Sequence, residues 1–86
     1  MSTLDVSIIS PERIVFEGKA SQVVAPAFDG ELGILPMHAP LMTLLGQGSL
    51  RVIGVEGGSQ EFVVGGGFLQ VVDDRVRVVT ESARSA

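Results

Sequence analysis

Every β-favouring run in this 86-residue chain is soon cut by turn chemistry. Residues 4–10 end at Pro11-Glu12-Arg13, residues 14–17 at Gly18-Lys19, and residues 20–26 shortly before Asp29-Gly30. Gly46 and Gly48 precede the run 49–54, Gly57-Gly58 the run 60–64, and Gly65-Gly66-Gly67 the run 68–72. Glycine takes backbone angles that other residues resist, and proline removes a ladder donor, so these positions punctuate rather than extend. Asp73-Asp74 then joins residues 68–72 to 75–80 as a hairpin. In that last run Arg75 and Arg77 alternate with Val76 and Val78, one face wet and one buried, as antiparallel sheets allow. Residues 41–45 suit either a buried strand or one helical turn. Many short strands without a helix-period segment predict an all-β fold, a two-layer antiparallel β-sandwich or flattened barrel. The predicted domain spans residues 1–81, and residues 82–86, small and polar, are expected to fray as a tail.

Composition narrows the function. Adding the 11 glycines to the 45% hydrophobic fraction gives about 58%, above the usual ~45–50%. So small a domain has little interior, so part of that excess must lie at the surface, where large apolar patches mark protein contacts. The net charge is −4 with six scattered basic residues, which excludes a phosphate-neutralising nucleic-acid surface and charge-driven docking on anionic lipid. There is no cysteine, hence no disulfide framework and no thiolate chemistry. The apolar runs are too short to span a membrane, and the N-terminus lacks a secretory pattern.

The passage from Asp29 to Met42 concentrates the unusual residues. Asp29-Gly30 signals a tight turn, and Gly33 a bulge or close backbone approach within a short strand. Pro36 and Pro40 exclude central strand or helix interior for residues 36–40. The expected product is a stiff loop at one end of a β-structure, presenting Glu31 and His38. His38 is the only histidine and lacks partner ligands for zinc; no serine sits in a nucleophile elbow. A histidine in a loop braced by prolines is either satisfied by backbone groups or a contact residue. On sequence alone Glu31 is a solvated turn carboxylate. The apolar neighbours Leu32, Ile34, Leu35 and Met37 are either exposed or core.

Other candidates give way to structural readings. Gly65-Gly66-Gly67 lacks the following helix and lysine of a phosphate cradle, and reads as a sharp bend or close backbone approach. Asp73-Asp74 reads as a turn whose side chains bond their own backbone. Glu12 and Glu17 read as solvated. Lys19 between Gly18 and Ala20 offers a different function, a carrier domain bearing lipoate or biotin. That module normally flanks its lysine with an acidic and a hydrophobic residue, which neither neighbour supplies. A ligand-binding β-barrel is disfavoured by scarce aromatics and the lack of a polar cluster.

Gly30-Glu31-Leu32-Gly33-Ile34-Leu35-Pro36-Met37-His38-Ala39-Pro40-Leu41 resembles the signature of the epsilon subunit of F-type ATP synthases, G-E-L-G-I-x-P-x-H-A-P-L, with no departure at the fixed positions. Gly66-Gly67-Phe68-Leu69-Gln70-Val71 resembles that family's S-G-G-F-x-E-V strand, with Gly65 for Ser and Gln70 for Glu. The opening from Leu4-Asp5-Val6 through Pro11-Glu12 to Phe16 resembles its first hairpin.

The resemblance implies a β-sandwich that performs no covalent chemistry and needs no cofactor, metal or nucleotide. It implies a rotor component of the central stalk, bound to the gamma subunit and to the loops of the membrane c-ring, and acting on the alpha/beta hexamer only indirectly. Glu31 and His38 match positions that face the c-ring, and Ser10 and Thr43 lie near positions close to gamma. Gly30, Gly33, Pro36 and Pro40 shape the loop. The expected location is peripheral, on the catalytic-sector side of an energy-coupling membrane, in a bacterium its cytoplasmic face. Such subunits continue into two antiparallel helices that inhibit hydrolysis and in some members bind ATP. This sequence stops at Ala86 without them, so the expectation is coupling and assembly without helix-mediated inhibition or ATP binding.

Overall fold

The computed structural model describes residues 2–28 and 30–86. Among them ten strands form: β1 Leu4–Ile9, β2 Ile14–Ala20, β3 Gln22–Ala27, β4 Gly30–Ile34, β5 Leu41–Leu44, β6 Gln47–Ile53, β7 Ser59–Gly65, β8 Gly67–Val72, β9 Arg75–Thr80 and β10 Ala83–Ser85. They assemble into two five-stranded sheets, β2-β1-β9-β8-β5 and β10-β7-β6-β3-β4, here sheets A and B. The pairings are antiparallel except that β1 lies parallel to β9. An all-β, two-layer sandwich is therefore what the alternating runs build.

Alternation decides which face turns inward. Leu4, Val6 and Ile8 of β1, Leu69 and Val71 of β8, and Val76 and Val78 of β9 are buried. From sheet B, Val23, Ile34, Leu50, Val52, Phe62 and Val64 meet them. Burying a Val, Leu or Ile side chain in this way contributes about 1.5–3 kcal/mol. The Phe16 and Phe62 rings, with centroids 5.8 Å apart and tilted, tie β2 of one sheet to β7 of the other.

Several boundaries differ from those the sequence predicts. Gly18-Lys19 is no turn: β2 runs on to Ala20, pairing Gly18 with Val6 and Lys19 with Asp5. Burial of Ala20 opposite Leu4 rewards that extension. The chain turns at Ser21 instead, whose hydroxyl lies 3.2 Å from the carbonyls of both Ile53 and Gly54. Lys19 is thus a residue of the edge strand β2, ion-paired to Asp5, not the tip lysine that a carrier domain requires. Gly33 pairs regularly with Val24, and Gly48 lies inside β6 opposite Val64, so neither breaks its strand. The register shift falls at Ile8/Ile9, where Val15 is the extra residue. Residues 41–44 resolve as strand.

Residues 82–86 are not a frayed tail. Strand β10 pairs with β7, placing Ala83 opposite Val64 and against the core. The Ala86 amide donates to the Glu61 carbonyl at 3.0 Å. Short polar side chains hid a strand whose stability comes from its partner's backbone.

The triple glycine forms the close approach expected of it. β7 of sheet B ends at Gly65 and β8 of sheet A begins at Gly67, so the chain changes sheets within a single residue. Gly66 and Gly67 take φ of +80° and +114°, and a β-carbon on Gly67 would collide with the Val79 carbonyl oxygen. Gly67→Ala should therefore cost on the order of 4 kcal/mol or more. Gly58→Ala, in open space without a positive φ, should stay within about 0.5 kcal/mol of the parent. Denaturant melts of both variants check the contrast.

Candidate protein-binding surfaces

The loop 35–40 carries the chain from β4, an edge of sheet B, to β5, an edge of sheet A. Its geometry follows from Pro36. Leu35, Pro36, Met37 and His38 form a turn closed by the His38 N–H donating to the Leu35 carbonyl at 3.2 Å. Proline stands second and Met37 third with φ +69°, the signature of a type II turn. That third position favours glycine, and Met37 holds it with its N–H donating to Asp74 Oδ1 at 2.6 Å. His38 Nδ1 lies 2.7 Å from the Ala39 carbonyl. A carbonyl only accepts, so Nδ1 carries a proton in this contact.

The apolar neighbours divide sharply. Ile34 is buried and Leu32 packs against the core, whereas Leu35 and Met37 are exposed, Met37 to 83%. His38 is half-buried and Glu31 exposed. Gly30 opens β4 opposite Ala27 with φ +136°; Asp29, the other half of the expected turn, lies outside the described residues. Pro36 and Pro40 sit in the loop itself, between β4 and β5.

Glu31 and His38 do not converge. Glu31 pairs with Pro26 at the start of β4, while His38 lies beyond its far end at Ile34. Three residue steps of strand carry the chain from Glu31 to Ile34, about 10 Å. The two groups therefore mark opposite ends of one sheet edge. Ser10 is buried, and its N–H and hydroxyl both reach the Arg13 carbonyl, at 2.9 and 3.2 Å, to close the β1–β2 turn. Thr43 is half-buried in β5, at the other side of sheet A.

Between Ser10 and Thr43 lies a feature that sequence reasoning missed. The register pairs Ile14 with Ile9, Ile9 with Val79, Val79 with Phe68, and Phe68 with Leu44. These five apolar residues form one row across all five strands of sheet A. Ile14, Phe68 and Leu44 are exposed, Leu44 to 63%, and Ile9 and Val79 half-exposed. Each residue alone is an unremarkable outward position. Only the strand order, with β1 lying against β9 from the far end of the chain, makes them neighbours, and no single-strand pattern reveals that order.

Mainly polar rows follow on one side of it, on the same face. Glu17, Ser7, Arg77 and Gln70 form the next row, ending at Met42, and Lys19, Asp5, Arg75 and Val72 the one beyond. Lys19 Nζ donates to Asp5 Oδ1 at 2.6 Å and holds that carboxyl below its ordinary pKa. The charges of Lys19 and, more weakly, Arg75 reinforce the effect against slight desolvation. Among the described residues no group of three or more His, Cys, Asp or Glu is placed to hold a metal ion, and no helix is long and apolar enough to cross a membrane.

Among known proteins, the profile of the ATP synthase delta/epsilon chain beta-sandwich domain matches residues 3–86. The chain belongs to that family. It is 43% identical over 86 residues to the ATP synthase epsilon chain of Alkalilimnicola ehrlichii, covering 100% of this chain and 61% of that protein. The epsilon chain of Dehalococcoides mccartyi is 49% identical over 87 residues, again covering 100% and 61%. The chain thus spans about three-fifths of the length of these relatives.

The delta/epsilon fold is matched among solved structures. A chain of the Euglena gracilis mitochondrial ATP synthase, from its OSCP/F1/c-ring assembly, superposes with a TM-score of 0.92 at 22% identity, covering 99% of this chain and 54% of that one. One from the Tetrahymena thermophila mitochondrial central stalk and c-ring gives 0.76 at 18%, covering 94% and 65%. At such identities the likeness is of fold.

The Asp5 pair makes a test of this face. A depressed carboxyl pKa contributes stability that is complete above the ordinary carboxylate value, near 3.8, and is lost as pH falls through the folded value. Lys19→Met should raise the Asp5 midpoint toward the ordinary value, read by NMR titration of the side-chain carboxyl. Melting at pH 7 should hardly change, because the pair is exposed. An unmoved midpoint would contradict the pairing.

Proposed function

We propose that this chain serves as the non-catalytic β-sandwich part of an ATP synthase epsilon subunit, a rotor component joining the gamma subunit to the c-ring. Ion flow turns the ring, this domain turns with it, and gamma carries the rotation to the alpha/beta hexamer where ADP and phosphate are joined. The observation that carries the reading is the unbroken apolar row on sheet A, in a chain whose family match runs from residue 3 to residue 86.

The row is the proposed seat of gamma. Ser10 follows Ile9 and Thr43 precedes Leu44 in the chain, so the positions that resemble the family's gamma contact adjoin the row. The buried Ser10 contributes by shaping its turn, and the exposed apolar side chains supply the desolvated area. Aromatic anchors such as Phe68 carry much of the affinity in interfaces of this kind.

The c-ring is assigned to the β4 edge and the loop that follows. Glu31 and His38 reach one partner only if that whole edge lies along it. The Glu31 carboxylate there makes charge-assisted hydrogen bonds to basic groups on the ring loops, and exposed Leu35 and Met37 contribute apolar area. Rim charges set approach and register more than affinity. The domain sits peripherally on the catalytic-sector side of the membrane, the cytoplasmic face in a bacterium. A packed, doubly hydrogen-bonded sandwich suits a torque-bearing part because interiors of that density transmit strain.

Two sets of variants separate the surfaces. Leu44→Asp with Ile14→Asp should reduce co-purification with gamma at least tenfold, equivalent to about 1.4 kcal/mol, with the melting temperature retained. Glu31→Lys, or Glu31→Ala with His38→Ala, should weaken capture of the c-ring and spare gamma. Loss of gamma alone from the second set would refute the edge assignment; undiminished gamma capture by the first would refute the row.

A further inference from the structure

Met37 holds a position where glycine is the favoured residue. Its φ of +69° crowds the β-carbon against the backbone, and the residue is 83% exposed, so no packing offsets the strain. What holds the residue is a contact from 37 positions away: Asp74 Oδ1 accepts the Met37 N–H at 2.6 Å. Asp74 is itself in the left-handed region, at φ +62°, beside Asp73 at +51°. Both central residues of the β8–β9 hairpin turn are positive, as a type I′ turn requires. That conformation aims the Asp74 carboxylate at the loop 35–40 rather than at its own backbone. The Asp74 carbonyl meanwhile accepts the Asp5 N–H at 2.8 Å, fixing the turn to the start of β1.

We infer that Asp74 is a positioning residue for the loop 35–40. Its carboxylate stands in for the backbone freedom that glycine would supply, holding Met37 left-handed and so setting the direction in which Leu35, Met37 and His38 leave the sandwich. Hydrogen bonds from a backbone N–H to an ionised carboxylate are the strong kind, enough to hold a strained turn closed. The loop's rigidity thus comes from two sources: Pro36 within it, and Asp74 across the sandwich end. The positioning itself rests on geometry alone; its effect on partner capture rests on the ring contact proposed above.

Three variants test this by hydrogen exchange of backbone amides on the free protein. Asp74→Gly removes the carboxylate while accepting φ +62° freely, so the hairpin should fold, with the Val76 and Val78 amides as internal controls. Exchange at Met37 and His38 should rise at least about tenfold, the loss of one hydrogen bond to a charged group. Asp74→Asn, which keeps an acceptor at Oδ1 and tolerates the left-handed region, should restore most of the protection. Met37→Gly added to Asp74→Gly should restore protection of His38, because Pro-Gly forms the type II turn unaided. Unchanged exchange at Met37 and His38 in Asp74→Gly would overturn the inference, as would an Asn variant no better than Gly. Loosened loop amides with undiminished c-ring capture would uphold the positioning role and refute the ring contact.

Discussion

The approach of Gly67 to the Val79 carbonyl is the contact on which the two-sheet arrangement depends. There the chain leaves sheet B and enters sheet A with a single residue between strands, and only a missing side chain permits the passage. The other crossings obey the same constraint with different chemistry. Ser21 turns β2 into β3 by hydroxyl bonds to Ile53 and Gly54. Gly46 turns β5 into β6 where a β-carbon would lie 2.9 Å from the Ala27 carbonyl. Thr80 and Ser82 return the chain to sheet B for β10. The remaining crossing, from β4 to β5, is the exposed one, and it takes a braced loop of six residues.

This economy of crossings explains how much of the fold was legible. Alternation in residues 75–80 announced its inward and outward faces because valine and arginine differ so strongly in their need for water. The glycine run at 65–67 announced a close approach because nothing else tolerates one. Residues 18–20 misled, since glycine beside lysine reads as a turn until Ala20 is seen buried opposite Leu4. The strand at Ala83–Ser85 was invisible for the opposite reason: its side chains carry almost no pattern, and it forms by completing hydrogen bonds along β7.

The candidate surfaces divided in the same way. The loop 35–40 was legible because prolines and a lone histidine in an apolar passage are unusual locally. The apolar row was not, because its members are scattered from Ile9 to Val79 and become neighbours only through pairings of long sequence separation, the parallel β1–β9 pair above all. Nor could sequence alone connect Asp74 with Met37. The joint placement of Glu31 and His38 seemed local in sequence, yet β4 holds them apart along one edge. A short extended strand moves its ends further from each other than a short loop does.

In the proposed assembly gamma packs against the outer face of sheet A, along the row from Ile14 to Leu44. The chain lacks cysteine, so a single introduced thiol reports one position without background. The direct measurement places cysteine in turn at position 44, position 14 and, on the outer face of sheet B, position 51, attaches a short photo-activated cross-linker to the isolated chain, and irradiates after assembly with the other subunits. Covalent capture of gamma from positions 44 and 14, with none from 51, is the predicted result. Capture from 51 and none from 44 or 14 would contradict the account.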